Sequence, residues 1–245
     1  MDRPIGIFDS GVGGLTVLES LKNELPNENL IYIGDNKHCP YGDKTKEELY
    51  TITFDIVNYL VNEGCEIIVI ACNTASAICK DYLRSKFNIP IICIEPACKM
   101  VYDYNPHGKT LIMATKGTLE SEKFLEIHKK YDNHNTVLFE CVGLADLIEQ
   151  NNFVGIKNYL NNNLKQFKGI QNVVLGCTHY PLIKDELTSV FGNVSFFDGS
   201  AGVTKRLKQI INDTNVRETR QEIIFIDSSK NVLKEERFWE ILIKH

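Results

Sequence analysis

The sequence IVIACNTASA at residues 68–77 and the sequence VVLGCTHYPL at residues 173–182 carry most of the information in this chain. Each combines a short apolar run, a cysteine with polar neighbours, and the start of a segment with helical periodicity. The two cysteines, Cys72 and Cys177, are 105 residues apart. A short apolar run that leads into a helix is typical of a buried parallel strand and its crossover. The pair therefore predicts two βα units of the same kind.

The same offset of 105 residues recurs along the chain. Four consecutive predicted strands at one offset indicate a duplicated α/β unit, whose two copies face each other across a cleft. Regular alternation of strands and helices also produces some matches by chance, and this alternative stays open. The matching pairs, in chain order, are 5–13 with 110–118, 30–35 with 135–140, 68–77 with 173–182, and 90–95 with 195–200.

The alternation of apolar runs and helical segments predicts an α/β fold with two similar domains. We expect mainly parallel sheets, a pseudo-two-fold relation between the domains, and an active site in the cleft between them. The first domain is expected to comprise residues 1–95 plus about 203–245, and the second residues 96–202, with the first crossing at 96–106. The predicted strands are 5–9, 30–34, 67–71, 91–94, 109–114, 137–141, 173–176, 194–197 and 223–226, and the predicted helices are 15–25, 46–63, 75–87, 119–130, 154–167, 182–191, 203–211 and 233–243.

Composition and charge exclude several classes of protein. The chain has 245 residues, 43% hydrophobic and 24% charged, as in ordinary globular proteins. Its net charge of −5 argues against coating nucleic acid or an anionic membrane. The apolar runs are much shorter than the roughly 20 residues of a membrane helix, and no signal-peptide core is visible. We therefore expect a cytoplasmic protein whose eight cysteines are reduced thiols.

Polar side chains follow the predicted strands of both halves. In parallel α/β sheets, ligands bind beyond the carboxyl ends of the strands. Cys72 and Cys177 each follow a buried strand at the start of a helix, whose partial positive charge favours a thiolate. One thiolate and one thiol together supply a base and an acid. The other candidate residues of the cleft are Asp9, Ser10, Pro40, Tyr41, Gly42, Asn73, Thr74, Thr115, Thr118, Thr178 and His179.

Each candidate also has a purely structural interpretation. A cysteine after an apolar run is often a small buried hydrophobic residue. Asp9 and the hydroxyl or amide side chains at the strand ends are good N-cap residues. His179 fits a helix cap as well as a hydrogen-bond donor to Cys177. A metal site formed by Cys72, Cys177 and His179 also stays open, although their spacing does not favour one.

Two functions compete for the cleft. Gly11-Val12-Gly13 after a strand, with Asp35 about 20 residues later, resembles a dinucleotide fingerprint, but Thr16 replaces its third glycine. Inversion of a stereocentre requires a base on one face of the carbon and an acid on the other. A cleft with one thiol on each wall has that geometry. Backbone amides and hydroxyls at 11–14 and 116–118 would bind a small acid and stabilise negative charge without a cofactor.

Five stretches resemble the cofactor-independent glutamate racemases of the aspartate/glutamate racemase superfamily. The resemblance implies a two-domain α/β enzyme that interconverts L- and D-glutamate, supplies D-glutamate for peptidoglycan, uses neither cofactor nor metal, and forms a homodimer. The stretches are IGIFDSGVGGLTVL at 5–18, YIGDNKHCPYG at 32–42, IVIACNTASA at 68–77, ATKGTLES at 114–121 and VVLGCTHYPLI at 173–183.

The resemblance also implies roles for single residues. Cys72 and Cys177 become the two acid/base thiols, assisted by Asp9, His179 and Glu149. The chain departs from the family at His38, around 141–149 and around 226–229. The implied substrate contacts are Asp9, Ser10, Tyr41, Gly42, Asn73, Thr74, Thr178 and His179, with Thr115 and Thr118 as additions.

Three other functions stay open at this level. An aspartate racemase would keep both thiols around a shorter pocket. A catalytically silent regulator would bind an amino acid on the same scaffold. Relatives with a single cysteine, which decarboxylate or isomerise diacids, fit less well because both cysteines are present. No nucleic-acid or membrane partner is expected.

Overall fold

The computed structural model describes residues 3–132, 134–211 and 221–244. Within these residues, strands and helices alternate along the chain as the apolar pattern predicts. The strands are β1 Ile5–Asp9, β2 Leu30–Gly34, β3 Ile67–Ile70, β4 Ile91–Cys93, β5 Thr110–Ala114, β6 Thr136–Glu140, β7 Asn172–Gly176, β8 Ser195–Phe197 and β9 Ile223–Asp227, and the helices are α1 Leu15–Glu24, α2 Lys46–Asn62, α3 Asn73–Lys86, α4 Cys98–Tyr104, α5 Lys116–Leu119, α6 Glu122–Tyr131, α7 Leu144–Glu149, α8 Phe153–Asn163, α9 Lys184–Phe191, α10 Ser200–Ile211 and α11 Val232–Lys244.

The strands form two sheets in which every neighbouring pair is parallel. The first sheet has the order β4-β3-β1-β2-β9, and the second has the order β6-β5-β7-β8. Strands β1, β2, β5 and β7 are buried along their whole length, because helices cover both faces of each sheet. The predicted fold class of two similar α/β domains is confirmed.

The two sheets have the same internal arrangement. The order β4-β3-β1-β2 of the first sheet corresponds to β8-β7-β5-β6 of the second. Ile5 lies beside Ile67 in the first sheet, and Thr110 lies beside Asn172 in the second, so both partners are shifted by 105 residues. The match of 30–35 with 135–140 is wrong by one residue, since Leu30–Gly34 corresponds to Thr136–Glu140 in the sheet.

Some helices differ from the prediction. The predicted crossing at 96–106 contains α4, and the predicted helix 119–130 is divided into α5 and α6. The division occurs because the Ser121 side chain accepts the N–H of Phe124 and caps a new helix. The predicted helix 182–191 begins with a 3-10 turn, Tyr180–Ile183, and α7 was not predicted as a helix. None of the helices in the described ranges is long and apolar enough to cross a membrane.

The last described part of the chain packs on the first sheet. Strand β9 pairs with β2, and helix α11 lies against β9 and α1. Phe238 of α11 is fully buried, and its ring stacks on Phe225 of β9 with 3.7 Å between the ring centroids. Phe238 also contacts Tyr32 of β2, whose ring centroid is 5.6 Å away. These aromatic contacts fix the position of α11 beside the carboxyl end of the sheet.

Candidate active site

The carboxyl ends of β1, β3 and β7 bring side chains of both sheets together. Asp9 is the last residue of β1, Cys72 lies at the N-cap of α3 after β3, and Cys177 directly follows β7. The Thr178 hydroxyl donates to Asp9 Oδ1 over 3.2 Å, which joins the two sheets directly. All four side chains are buried. Asp9 and Thr178, which the duplicated pattern predicted to share a cleft, are therefore in contact.

Glycines in the loop after β1 permit this approach. A Cβ on Gly11 would lie 2.4 Å from Glu149 Oε2, and a Cβ on Gly13 would lie 2.8 Å from the backbone nitrogen of His179. Both distances are too short for a real side chain. Gly14 has the same constraint within the first sheet, because its Cβ would meet Asp9 and Tyr32 at 2.6 Å. The loop can therefore contact the second sheet only without side chains at these positions.

The amides of this glycine loop bind carboxylates of the protein itself. Asp9 Oδ2 accepts the N–H of Gly14 over 2.9 Å and that of Gly11 over 3.3 Å. Glu149 Oε2 accepts the N–H of Val12 over 3.1 Å. The expectation that these amides bind a substrate anion is therefore wrong for these three groups. Asp9 instead anchors the start of α1 by accepting the N–H of Gly14, which is itself the N-cap residue of this helix.

Cys72 lies on the first wall of the site. Its thiol is 3.9 Å from Ser10 Oγ and directly precedes the first turn of α3. Burial, together with the negative charge of Asp9, raises the pKa of the Cys72 thiol well above its usual value. The N–H of Ala75 and the contact with Ser10 oppose this shift only partly. At neutral pH Cys72 therefore holds its proton and is suited to act as an acid rather than as a base.

On the second wall, Cys177 begins a hydrogen-bonded chain. Its Sγ is 3.7 Å from His179 Nδ1, and His179 Nε2 is 2.8 Å from Glu149 Oε2. All three residues are buried. Glu149 belongs to α7, which α8 and the 3-10 turn hold against the second sheet. The imidazole thus connects a thiol on one side with a carboxylate on the other.

Charges within this chain favour an ion pair. Burial alone lowers the pKa of His179, but its hydrogen bonds to Cys177 and Glu149 and their negative charges raise that pKa well above the usual value. Burial raises the pKa of Glu149, but the hydrogen bond and charge of His179 outweigh it and hold that pKa below the usual value. At neutral pH His179 is therefore an imidazolium beside an ionised Glu149. A cation 3.7 Å from Cys177 Sγ stabilises negative charge on that sulfur.

Hydroxyl groups connect the two walls at another edge of the site. Thr74 Oγ1 lies 3.0 Å from Thr115 Oγ1, which lies 3.1 Å from Thr118 Oγ1. Gly42 packs beside Thr115. The Asn73 side chain is buried, and its Oδ1 has no hydrogen-bond partner within the described residues. These hydroxyls and the Asn73 amide are positioned to bind polar groups of a ligand.

An open cavity of about 540 Å³ adjoins these hydroxyls. Gly42, Ile78 and Gly117 lie along it, and its charged lining residues have both signs, with Lys44, Lys46 and Lys116 beside Asp43 and Glu120. Lys116 Nζ is 4.0 Å from Glu120 Oε1, so the charges of this lining partly compensate each other.

Tyr41 stabilises the loop that carries Pro40 and Gly42. The sequence placed it among the substrate contacts, but its hydroxyl donates to Asp35 Oδ2 over 2.6 Å. Asp35 is buried and also receives the Ser228 hydroxyl over 2.7 Å and His38 Nδ1 over 2.9 Å. Pro40 follows Cys39 through a cis peptide bond in the same loop. Asp35 therefore fixes the loop that carries Pro40, Tyr41 and Gly42, a role that its sequence position did not indicate.

Replacing Tyr41 with phenylalanine is expected to lower the free energy of unfolding by about 1–2 kcal/mol, because a buried carboxylate loses a hydrogen bond. Urea denaturation measures the change. Tyr104→Phe is the matched control, since the Tyr104 side chain is 69% exposed and its hydroxyl stays in water. Equal stability of the Tyr41→Phe variant and the wild type would contradict the supporting role of this hydrogen bond.

The described residues contain no group of three or more His, Cys, Asp or Glu side chains arranged to hold a metal ion. Each of the eight cysteines lies in the described ranges and is a free thiol. Cys177 and His179 do contact each other, but through a hydrogen bond within the thiol, imidazole and carboxylate chain. This hydrogen bond places the imidazole of His179 where it can act on the thiol of Cys177.

Comparison with known sequences identifies the family of this chain. The sequence profile of the Asp/Glu/Hydantoin racemase family matches residues 5–207. The chain is 43% identical over 223 residues to a glutamate racemase of Clostridium perfringens, covering 88% of this chain and 86% of the relative. It is 40% identical over 239 residues to a glutamate racemase of Clostridium acetobutylicum, covering 95% of this chain and 91% of the relative.

Solved structures show the same fold. A glutamate racemase from Francisella tularensis in complex with D-glutamate is 31% identical, with a TM-score of 0.83 over 100% of this chain and 94% of that chain. The Escherichia coli enzyme in complex with L-glutamate and the activator UDP-MurNAc-Ala is 27% identical, with a TM-score of 0.86 over 99% of this chain and 95% of that chain. The resemblance that the five sequence stretches carry is thus confirmed, and the chain belongs to the Asp/Glu/Hydantoin racemase family.

Proposed function

We propose that this chain interconverts L- and D-glutamate by direct proton transfer at the α-carbon, with Cys72 and Cys177 as the two acid/base groups. The observation that carries the proposal is that two buried thiols follow equivalent strands of two sheets, and that the Thr178 to Asp9 hydrogen bond joins these strand ends. The relatives that are 40–43% identical over most of the chain are glutamate racemases, which supports glutamate as the substrate.

The charges suggest how the first step begins. We assign the role of base to Cys177, whose sulfur lies 3.7 Å from His179 Nδ1, and in this direction it removes the α-proton from one face of the substrate. The electron pair of the broken C–H bond stays on the α-carbon. The neutral thiol of Cys72 then delivers its proton to the opposite face. The products are the other enantiomer, a neutral Cys177 and a Cys72 thiolate, so a proton must return to Cys72 before the next turnover in the same direction.

Substrate contacts complete the proposal. The chain carries polar groups around the thiols on both walls, and they are suited to an amino acid with two carboxylates. Asp9 and Ser10 lie near Cys72, and His179 lies near Cys177. The groups that we assign to substrate binding are Asp9, Ser10, Pro40, Tyr41, Gly42, Asn73, Thr74, Thr115, Thr118, Thr178 and His179, with Tyr41 and Pro40 acting through the shape of their loop.

Several features of the family belong to the same proposal. We infer that the chain forms a homodimer, acts in the cytoplasm and supplies D-glutamate for peptidoglycan. Eight free thiols support a reducing compartment. We also infer that residues 1–95 and about 203–245 form one domain and residues 96–202 the other. The pairing of β9 with β2 supports this division.

Incubation with L-glutamate in deuterium oxide tests the activity. We expect deuterium at the α-carbon, seen by proton NMR, and a final equal mixture of the two enantiomers, seen as loss of circular dichroism. Without cofactor in the assay, every exchanged proton must pass through groups of the protein. Turnover of aspartate but not glutamate would identify an aspartate racemase instead. Binding of glutamate without any exchange would identify an amino-acid-binding regulator.

A further inference from the structure

Helix α11 packs on the first sheet and also contacts Glu149, which belongs to the second half of the fold. Arg237 donates one hydrogen bond to the backbone carbonyl of Ile148 over 2.6 Å and another to that of Glu149. Lys234, one turn earlier on the same helix, places its ammonium 3.8 Å from Glu149 Oε1. Both cations approach the carboxyl end of α7, where the helix dipole is negative.

Glu149 is a buried carboxylate, and these cations supply positive charge close to it. Its Oε2 is occupied by the N–H of Val12 and by His179. Its Oε1 is buried and has no hydrogen bond within the described residues, so the ammonium of Lys234 is the only cation that the structure places beside this oxygen. An ionised carboxylate that is 7% exposed is costly without a compensating positive charge.

The surroundings of Glu149 make that charge more important. Other carboxylates lie close enough to interact with it. Burial raises the pKa of both Asp9 and Asp146, and the negative charge of Glu149 adds to each rise. The positive groups that face it are His179 from the second sheet and Lys234 and Arg237 from α11. Loss of a cation from this set makes ionised Glu149 less stable, and the imidazolium that depends on it becomes less stable too.

We propose that Lys234 and Arg237 are positioning residues of the racemase reaction, which keep Glu149 ionised and aligned with His179 and therefore keep the Cys177 side ready to accept a proton. Arg237 fixes the backbone of α7, and Lys234 balances the charge of Oε1. The proposal rests on the proposed function. It means that α11, which packs on the first sheet, affects the proton affinity of Cys177 in the second half of the fold.

Lys234→Gln tests the charge. We expect kcat for glutamate to fall about tenfold while KM changes by less than about twofold, because the substrate contacts are intact. Removing the positive charge raises the pKa of Glu149. The loss of activity on acidification therefore begins at higher pH than in the wild type. Lys234→Arg should restore kcat and the pH profile. Lys157→Gln, an exposed lysine of α8, is the matched control and should match the wild type.

NMR gives a readout that needs no turnover. The side-chain signal of His179, assigned by its absence from a His179→Asn variant, reports the ionisation of Glu149. Its acidic inflection should move to higher pH in Lys234→Gln and return in Lys234→Arg. Arg237→Gln should lower kcat with little change in KM, and Arg237→Lys should recover part of it, because a lysine can still donate to one of the two carbonyls.

The outcomes separate this proposal from the proposed function. Wild-type protein that exchanges no α-proton contradicts the racemase activity, and the His179 titration then still tests the link between Lys234 and Glu149. An active wild type with a Lys234→Gln variant that matches Lys157→Gln in kcat and in the His179 titration overturns the role of Lys234 alone. A fall in kcat that follows only a lower melting temperature, with no shift of either pH profile, overturns it as well.

Discussion

Replacing either Cys72 or Cys177 with serine is expected to reduce glutamate racemisation by about a thousandfold or more. A serine hydroxyl is too weak an acid to exist as the alkoxide at neutral pH, so the variant lacks either the base or the acid of the two-step transfer. Circular dichroism of L- and D-glutamate measures the rate. Cys79→Ser is the matched control, because Cys79 is also buried and lies on α3 about two turns beyond Cys72.

The two substitutions are expected to differ in a second measurement. Enantiomers have equal free energy in an achiral solvent, so kcat/KM must be the same for both in every variant. A difference between the two variants is visible instead in the uptake of deuterium at the α-carbon of substrate that has not been inverted. Cys72→Ser should retain this exchange for one enantiomer and Cys177→Ser for the other, because each thiol serves one face. Exchange of the same enantiomer in both variants, or retention of full racemisation in either, would contradict the two-thiol mechanism.

Replacing Gly13 with alanine is expected to reduce kcat/KM about a hundredfold. The new Cβ would lie 2.8 Å from the backbone nitrogen of His179, so the loop and the second sheet must move apart. A displacement of about 1 Å at reacting groups is enough for a loss of this size. The same displacement weakens the Thr178 to Asp9 and Val12 to Glu149 hydrogen bonds. The free energy of unfolding should fall by about 1–3 kcal/mol through overpacking.

Gly202→Ala is the control for this substitution. Gly202 lies in α10 and is exposed, with no atom within 4 Å of its added Cβ, so activity should be unchanged. The rates come from circular dichroism and the stabilities from urea denaturation. A Gly13→Ala variant with wild-type kcat/KM would show that the two walls do not need this close contact.

Much of the site was predictable because its residues directly follow buried strands. The apolar runs before Cys72 and Cys177 fixed both the strands and the place where each chain segment leaves its sheet. Within each sheet, parallel strands then placed the residues that follow them at the same edge. The same local argument placed Asp9 and Thr178 at the site. These positions depend on a few neighbouring residues, which a single sequence does show.

Other features depend on contacts between distant parts of the chain. Glu149 was identified only through the resemblance, because its short helix lies 137 residues from the amide of Val12 that it accepts. Tyr41 was expected to contact the substrate, but its hydroxyl is taken by Asp35. The sequence did not indicate that Lys234 and Arg237 lie near the site, because a basic residue on an amphipathic helix is usually exposed to water. A local sequence pattern does not show which side chains from the two sheets contact each other.

The matching strand order of the two sheets has a consequence for chemistry that a symmetric assembly does not share. In a site built from two identical subunits, both sulfurs would have the same proton affinity, and neither would be preferred as donor or acceptor. Joining the halves in one polypeptide allowed each to mutate separately. One wall now holds a neutral thiol beside Asp9, and the other holds a sulfur beside an imidazolium. The symmetry of the scaffold supplies the two opposed directions of proton transfer. The unequal charges around the two sulfurs distinguish the proton donor from the proton acceptor.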